Sequence, residues 1–493
     1  MTAHRLSKSR YVAGLQCPKM LWWQVHQPDA PELTPGPGRQ VIFDRGHRIG
    51  ELARARFPGG VLINVPFDNG LELKAKVDAT AKALADGAPA IYEASFFEDD
   101  IFVSVDVLER GKGGAFTLVE VKSTLDVKDA HLNDVAVQLH VVRKAGLRVT
   151  KAQVMHLNRD CRHPDLSNLF VRENVASLVR PLLREVPKTA RALLDALGGP
   201  LPDVATGEHC YAPYPCPFLG RCWPQLPPHH VSTLYRIRSG TAEKLVAEGY
   251  ETLVQLPFKA AKSPPAKRQL KAVKSGELVV EKSLRRRLRA FKEPLAFLDF
   301  ETINPAVPLW PGCRPYGMVP VQLSCHRLGP NGVTHHAWLA EGPGDPRPSF
   351  ARELLWACKG AKTIVAYNAS FEQNRISELA QAAPELADEL LALNKRFVDL
   401  LPVVRDCVYH PDFGGRFTIK SVLPALVPGM GYDDLAIQEG AAASAALEAL
   451  LLDGDAFEPK ERMKLREELL AYCQRDTFAM VKLWERLKEL VDG

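Results

Sequence analysis

The sequence predicts two α/β domains in series, near residues 1–225 and 293–493, joined by a short basic helical segment at 226–292. Three observations lead there. At 493 residues the chain exceeds one ordinary domain. A glycine-centred hairpin near residue 113 and an apolar strand near residue 297 each end in closely spaced acids, and each is followed by helical sequence. Charge also shifts along the chain. Residues 251–290 hold eleven Lys/Arg against three acids, whereas 291–493 hold twenty-one against twenty-eight. The basic stretch is placed to neutralise phosphates, and the acid excess suits carboxylates that hold metal.

In the first domain, the segment Phe43 to Arg54 carries His47. Residues 100–109 read as a strand, Gly111-Lys-Gly-Gly114 as a turn, and 116–123 as the returning strand. A pivot at Gly113 sets Asp106 opposite Glu120, with Lys122 on the same face two residues on. Two acids and a lysine on one sheet face, among Val and Leu, are costly for stability alone. Asp134 and Gln138 fall on the next predicted helix. This pattern resembles the PD-(D/E)xK nucleases of the RecB-like branch, over about residues 6–225. The resemblance implies that Asp106, Glu120 and His47 hold a metal ion, that Lys122 positions or activates the hydrolytic water, and that Gln138 belongs to the branch's glutamine motif. The tyrosine usual four positions later is Val142 here. On this view, alanine at Glu120 or Lys122 silences cleavage and leaves the fold intact.

Ten cysteines occur, with no secretory leader and no apolar run long enough to span a membrane, so a cytoplasmic protein is expected. Thiols in that setting hold metals more often than disulfides. Cys17, in Gln-Cys-Pro-Lys, and the cluster Cys210, Cys216 and Cys222, rich in Pro and aromatic residues, stand out. The layout of one cysteine before the nuclease core and three after it resembles that of CRISPR-associated RecB-like exonucleases and the AddB nuclease domain. There a 4Fe-4S cluster joins the two ends of the domain. Four thiolates suit zinc as well.

Between the domains, Leu234 to Pro257 has a glycine, Gly249, between helical stretches and resembles the helix–hairpin–helix units that grip DNA backbones. A plain helical linker is the other reading. Arg285, Arg286, Arg287 and Arg289 follow as candidate nucleic-acid contacts.

The second domain opens on Leu295 to Ile303. Strand alternation puts Asp299 and Glu301 on one side and Phe300 on the other, and a divalent cation is the usual neutraliser of such a pair. Thr363 to Tyr367 reads as a short buried strand, running into a helix with Asn368 and Glu372 on one face. Pro459 to Leu490 reads as a long amphipathic helix on which Tyr472 and Asp476 stand four apart. Asp299-x-Glu301, Asn368-x-x-x-Glu372 and Tyr472-x-x-x-Asp476, in this order, resemble the DEDD family of 3′–5′ exonucleases, in its tyrosine-bearing subtype. The resemblance covers about residues 293–493 and implies a ribonuclease H-like fold, two Mg²⁺ or Mn²⁺ ions on four carboxylates, and Tyr472 beside the attacking water. The family has aspartate where this chain has Glu372, one methylene longer. Pro411 to Leu423 looks like that family's connecting segment, and Asp399 is an extra acid with a structural role equally open.

The combined reading is a metal-dependent, exonucleolytic nuclease with two sites, acting on DNA rather than RNA and with no membrane association, as in a bacterial family where such halves are fused. A nucleic-acid-binding protein with one degenerate site, the C-terminal one first, and an RNA-processing exonuclease are the alternatives.

Overall fold

The computed structural model describes residues 4–65, 72–223, 225–330 and 332–492. The chain forms two compact units, one of Met1–Pro224 with Ala306–Tyr316 and the other of Gln225–Pro305 with Gly317–Gly493. Both mix α and β structure, and no described helix is long and apolar enough to cross a membrane.

The first unit is built on a seven-stranded mixed sheet. Its strands are β1 (Leu6–Ser7), β2 (Val61–Leu62), β3 (Ala90–Glu98), β4 (Ile101–Arg110), β5 (Phe116–Lys122), β6 (Val149–Leu157) and β7 (Phe170–Asn174). Their order is β2-β3-β4-β5-β6-β7, with β1 also paired to β4. Val103, Val105, Leu118 and Val154 are buried on it. Helix α1 (Lys8–Gln16) follows β1 directly, then α2 (Pro18–His26), α3 (Pro37–Arg54) and α4 (Glu72–Ala85). Helix α5 (Asp129–Lys144) crosses over between the parallel strands β5 and β6, and α6 (Ala176–Gly198) packs on it. The short α7 (Leu219–Cys222) ends the run.

The β4–β5 turn is a single helical turn at Lys112–Gly114, with Gly113 and Gly114 at positive φ (64° and 70°). Glycine visits that region without steric cost. Val107 pairs with Val119 and Arg110 with Phe116, a register that sets Asp106 across from Glu120. On its other side β4 pairs with β3, Tyr92 to Val107 and Ala94 to Val105, which sets Glu93 across from Asp106.

The second unit begins with α8 (Ser239–Ala247), α9 (Pro264–Ser275) and α10 (Leu284–Leu288), which pack around Val231, Leu253, Leu256 and Leu270 or beside the small ladder of β8 (Val279–Val280). Its main sheet contains β9 (Leu295–Ile303), β10 (Val319–Gly329), β11 (Gly332–Leu339), β12 (Thr363–Ala366) and β13 (Phe397–Asp399), in the order β11-β10-β9-β12-β13; β14 (Val408–Tyr409) pairs with β8. Helices α11 (Arg347–Ala357), α12 (Ser370–Ala382) and α13 (Ala387–Asn394) cover one face, where Leu298, Phe300, Phe350 and Ile376 meet. Leu295 and Phe297 face the other way, onto α14 (Leu400–Cys407) and the 34-residue α17 (Pro459–Asp492), with Phe297 edge-on to Trp484. Helices α15 (Ile419–Leu426) and α16 (Gly440–Leu452) pack on α17. By the same period of two, Asp299 and Glu301 extend the face that α17 covers.

One local expectation is corrected. Asn368 is not in a helix with Glu372, because α12 begins at Ser370. Asn368 sits at φ 77°, a left-handed conformation that asparagine tolerates, and its N–H donates to Asp399 Oδ1 at 2.9 Å.

Candidate functional site

In the second unit a polar ladder on β10 sets the register of α17. Gln322, Ser324 and His326 alternate onto one face. Gln322 Nε2 donates to the Leu469 carbonyl (2.8 Å), the Ser324 hydroxyl meets Thr477 Oγ1 (2.7 Å), and His326 Nδ1 meets the same oxygen (2.8 Å). Gln322 and Ser324 are the cross-strand partners of Glu301 and Asp299. The residues that clamp the helix thus stand beside the acids it must meet. Asp299, Glu301 and Asp476 each bring a carboxylate oxygen within 4.8 Å of the others. Tyr472 is one turn back on α17.

No ion pair neutralises these three acids among the described residues. Burial, then the neighbouring Asp476 and Glu301, pushes Asp299 well above the carboxylate range. Burial and Asp476 raise Glu301 to about 8. Asp476 is raised to about 6 by burial, moderated by the Tyr432 hydroxyl, which donates to its Oδ1 at 2.6 Å. Glu372, at the first turn of α12, is 3% exposed and raised to about 8, mainly by burial. Its Oε2 is buried without a hydrogen-bond partner, and its charge is felt at Asp299 and Glu301. A buried carboxylate oxygen left unpaired beside three crowded acids is a donor set short of a cation. Asp299, Glu301 and Asp476 fit a hard divalent ion with oxygen ligands, and Glu372 lies outside their 4.8 Å group.

One further side chain joins this site. Lys420 Nζ donates to the Tyr472 hydroxyl at 3.2 Å and to the Gln438 carbonyl, and lies over the rings of Tyr432 and Tyr472. It arrives on α15, within the segment singled out from sequence, but no spacing pointed to it. Asp399 accepts from the N–H groups of Asn368 and Leu401 and caps α14, a structural role.

In the first unit, Asp106, Glu120, Lys122, Asp134 and Gln138 come together. β1 and β5 pair with opposite ends of β4, leaving its middle open on that side. Asp106 Oδ2 fills the gap by accepting from the Val121 N–H (2.6 Å). Glu120, 1% exposed, accepts from Lys8 and Lys122 on Oε1, both at 2.8 Å, and from Gln138 Nε2 on Oε2 at 2.6 Å. Lys122 also pairs with Asp134 at 2.5 Å. Burial opposes charge on Glu120, yet the two ammonium groups hold its carboxyl far below the usual range. Burial and Glu120 raise Asp106 to about 7. The Gln138 Oε1 atom is buried without a partner.

Lys8 and Glu93 belong to this cluster and were missed in the sequence. Lys8 opens α1, where the helix dipole disfavours a cation and no acid shares the first turn. That mismatch was the available signal. Glu93, inside the apolar run of β3 at φ 58°, was the other. His47 is exposed on α3, and no hydrogen bond or ion pair among the described residues joins it to Asp106 or Glu120.

Cys17, Cys210, Cys216 and Cys222 line one small pocket of about 10 Å³, closed by Met20, Trp23 and Phe218. Cys17 caps α2, Cys210 ends a helical turn and Cys222 ends α7. The Gly207 N–H donates to the Cys210 sulfur at 3.5 Å. Among the described residues, no three of these sulfurs lie within 4.8 Å of one another. Thiolates around one tetrahedral zinc would stand roughly 3.8 Å apart, from Zn–S bonds of about 2.3 Å.

The candidate arginines are dispersed. Arg285 donates to the Val491 carbonyl at the end of α17, Arg287 pairs with Asp406 at 3.5 Å, and Arg286 and Arg289 are exposed.

A family model described as a domain of unknown function, DUF2779, matches residues 296–418, which include Asp299, Glu301 and Glu372. No curated protein matches the chain. Among solved structures, the chain is similar to the family B DNA polymerase from the hyperthermophilic archaeon Pyrobaculum calidifontis. The identity is 16% and the TM-score 0.25, over 38% of this chain and 24% of that one, so the chain spans about a quarter of that polymerase.

Proposed function

We propose that the chain is a metal-dependent nuclease whose principal catalytic centre is Asp299, Glu301, Glu372 and Asp476 in a ribonuclease H-like, DEDD-type unit. The carrying observation is three carboxylates within 4.8 Å with no ion pair, beside a buried carboxylate oxygen that lacks a partner. Divalent ions held there would supply Lewis acidity toward a phosphodiester and lower the pKa of a bound water. The chain's own groups have distinct tasks. The four acids bind the ions, Tyr432 orients Asp476, and Lys420 fixes the Tyr472 hydroxyl so that it can hold an attacking water at its oxygen.

The first unit supports a second centre of PD-(D/E)xK type, with Asp106 and Glu120 as ligands and Lys122 at the water. Glu120 already has ammonium partners in Lys8 and Lys122, so the demand of this site for a cation is weaker. Four thiols lining one apolar pocket support a 4Fe-4S cluster there, with zinc as the other occupant such a set would take.

Two results are expected. Purified protein given labelled single-stranded DNA, duplex DNA or RNA should degrade at least one of them with Mg²⁺ or Mn²⁺ and none with chelator, DNA before RNA. Intact substrate in every arm would replace the enzyme with a binding protein. Protein prepared without oxygen should be brown, with about four irons per chain. Cys216→Ser should remove the colour. Stoichiometric zinc without iron would end the cluster assignment.

A further inference from the structure

Away from the acids, the second unit carries a cavity of about 930 Å³ formed by the segment after Leu234, the start of α9 and the end of α14. Its lining is cationic. Arg236, Arg238 and Lys262 form no ion pair among the described residues. Arg287 and Arg405 share one carboxylate, Asp406, at 3.5 and 2.8 Å. Behind them the buried Arg268 donates to the carbonyls of residues 405 and 406 at 2.8 and 2.5 Å and props that turn in place. Asp406 is the lone acid in the lining, so the wall carries an excess of positive charge.

The backbone contributes little to anion binding there. Helix α9 opens with Pro264 and Pro265, which have no N–H, and the next N–H, of Ala266, is capped by the Ser263 hydroxyl. Recognition would fall to the guanidinium and ammonium groups, which suit phosphate oxygens. An aromatic surface lies among them. Tyr235 lines the cavity, lies 5.3 Å from the Arg236 guanidinium, and is backed edge-on by Phe417 at 5.2 Å. Cations around a supported ring form the composition that holds a single strand through its phosphates and one base face. The volume admits a nucleotide or two.

Resting on the nuclease reading above, we propose that this pocket binds a single-stranded segment of the nucleic-acid substrate, with Arg236 and Arg238 on its phosphates and Tyr235 against a base. Phe417 lies three residues before Lys420, so the element that backs the pocket also delivers a side chain to the acid site.

The test uses the full chain carrying Asp299→Asn, in chelator, titrated with a fluorescein-labelled oligothymidylate and followed by anisotropy. Adding Arg236→Glu and Arg238→Glu should weaken binding at least tenfold. It should also flatten the slope of log K against log salt by about 1.4, the value for two phosphate contacts on a single strand. Lys460→Glu, on exposed α17 surface, should leave both unchanged. A matching oligouridylate arm shows whether the sugar matters. Unchanged affinity and slope in the double variant, or displacement by millimolar inorganic phosphate as effective as by unlabelled oligonucleotide, would overturn the proposal. Degradation by the chain without Asp299→Asn is scored separately. Binding lost without any degradation condemns the nuclease reading alone, and degradation with unaltered binding condemns the pocket alone.

Discussion

Asp299→Asn should lower metal-dependent degradation by about 1,000-fold or more and, in chelator, make the protein more stable. The activity loss follows from removing the acid on which the charges of Glu301, Glu372 and Asp476 all converge. Two-metal sites contribute several kcal/mol of transition-state stabilisation, and each 1.4 kcal/mol is tenfold in rate. The gain in stability has the opposite origin. Without metal, Glu301 and Glu372 have folded-state pKa values near 8 against 4.5 when exposed. The folded state therefore holds protons that the unfolded chain has released, and stability falls as pH rises from about 4.5 to 8. With chelator, Tm should drop across that window, and Mn²⁺ should restore it. Asp299→Asn should raise Tm at pH 8 by on the order of 5 °C and flatten the pH dependence. A melting curve indifferent to pH and metal, or a fully active Asn variant, would remove these acids from the mechanism.

The second large effect concerns Glu120. As a metal ligand alone, Glu120 could be lost with the fold intact. In the structure it is also the buried counter-ion of Lys8 and Lys122. Glu120→Ala leaves Lys8 without its ion-pair partner and Lys122 with Asp134 alone, and breaking a buried pair from one side costs about 3–5 kcal/mol. A fall in Tm of roughly 10 °C is expected. Lys8→Met combined with Glu120→Gln should recover part of it, because the two changes remove the same pair. If Glu120→Ala melts like the parent, the carboxylate is not holding the lysines.

Local periodicity made much of this visible. The alternation that places Asp299 and Glu301 together, the i, i+4 pair Tyr472 and Asp476, and the hairpin pivot at Gly113 are properties of a few consecutive residues. Asn368 was misplaced because a helical spacing can start outside a helix when the residue prefers a left-handed turn. Lys8, Glu93, Lys420 and Tyr432 reach their sites only through tertiary packing. Lys8 meets Glu120 across 112 residues of sequence and Tyr432 meets Asp476 across 44. No short-range pattern encodes such pairs. The dispersal of Arg285 and Arg287 to Val491 and Asp406 is of the same kind.

The segment Ala306–Tyr316 leaves the second unit directly after β9 and belongs to the first, where Ala306 packs with Ile49, Leu157 and Leu169. Its Tyr316 hydroxyl donates to the Ser123 carbonyl at 2.7 Å, next to Lys122. Neither unit is therefore a contiguous stretch of gene. A fragment ending near residue 224 lacks part of its own core, and one beginning near 293 carries a piece of core that belongs elsewhere.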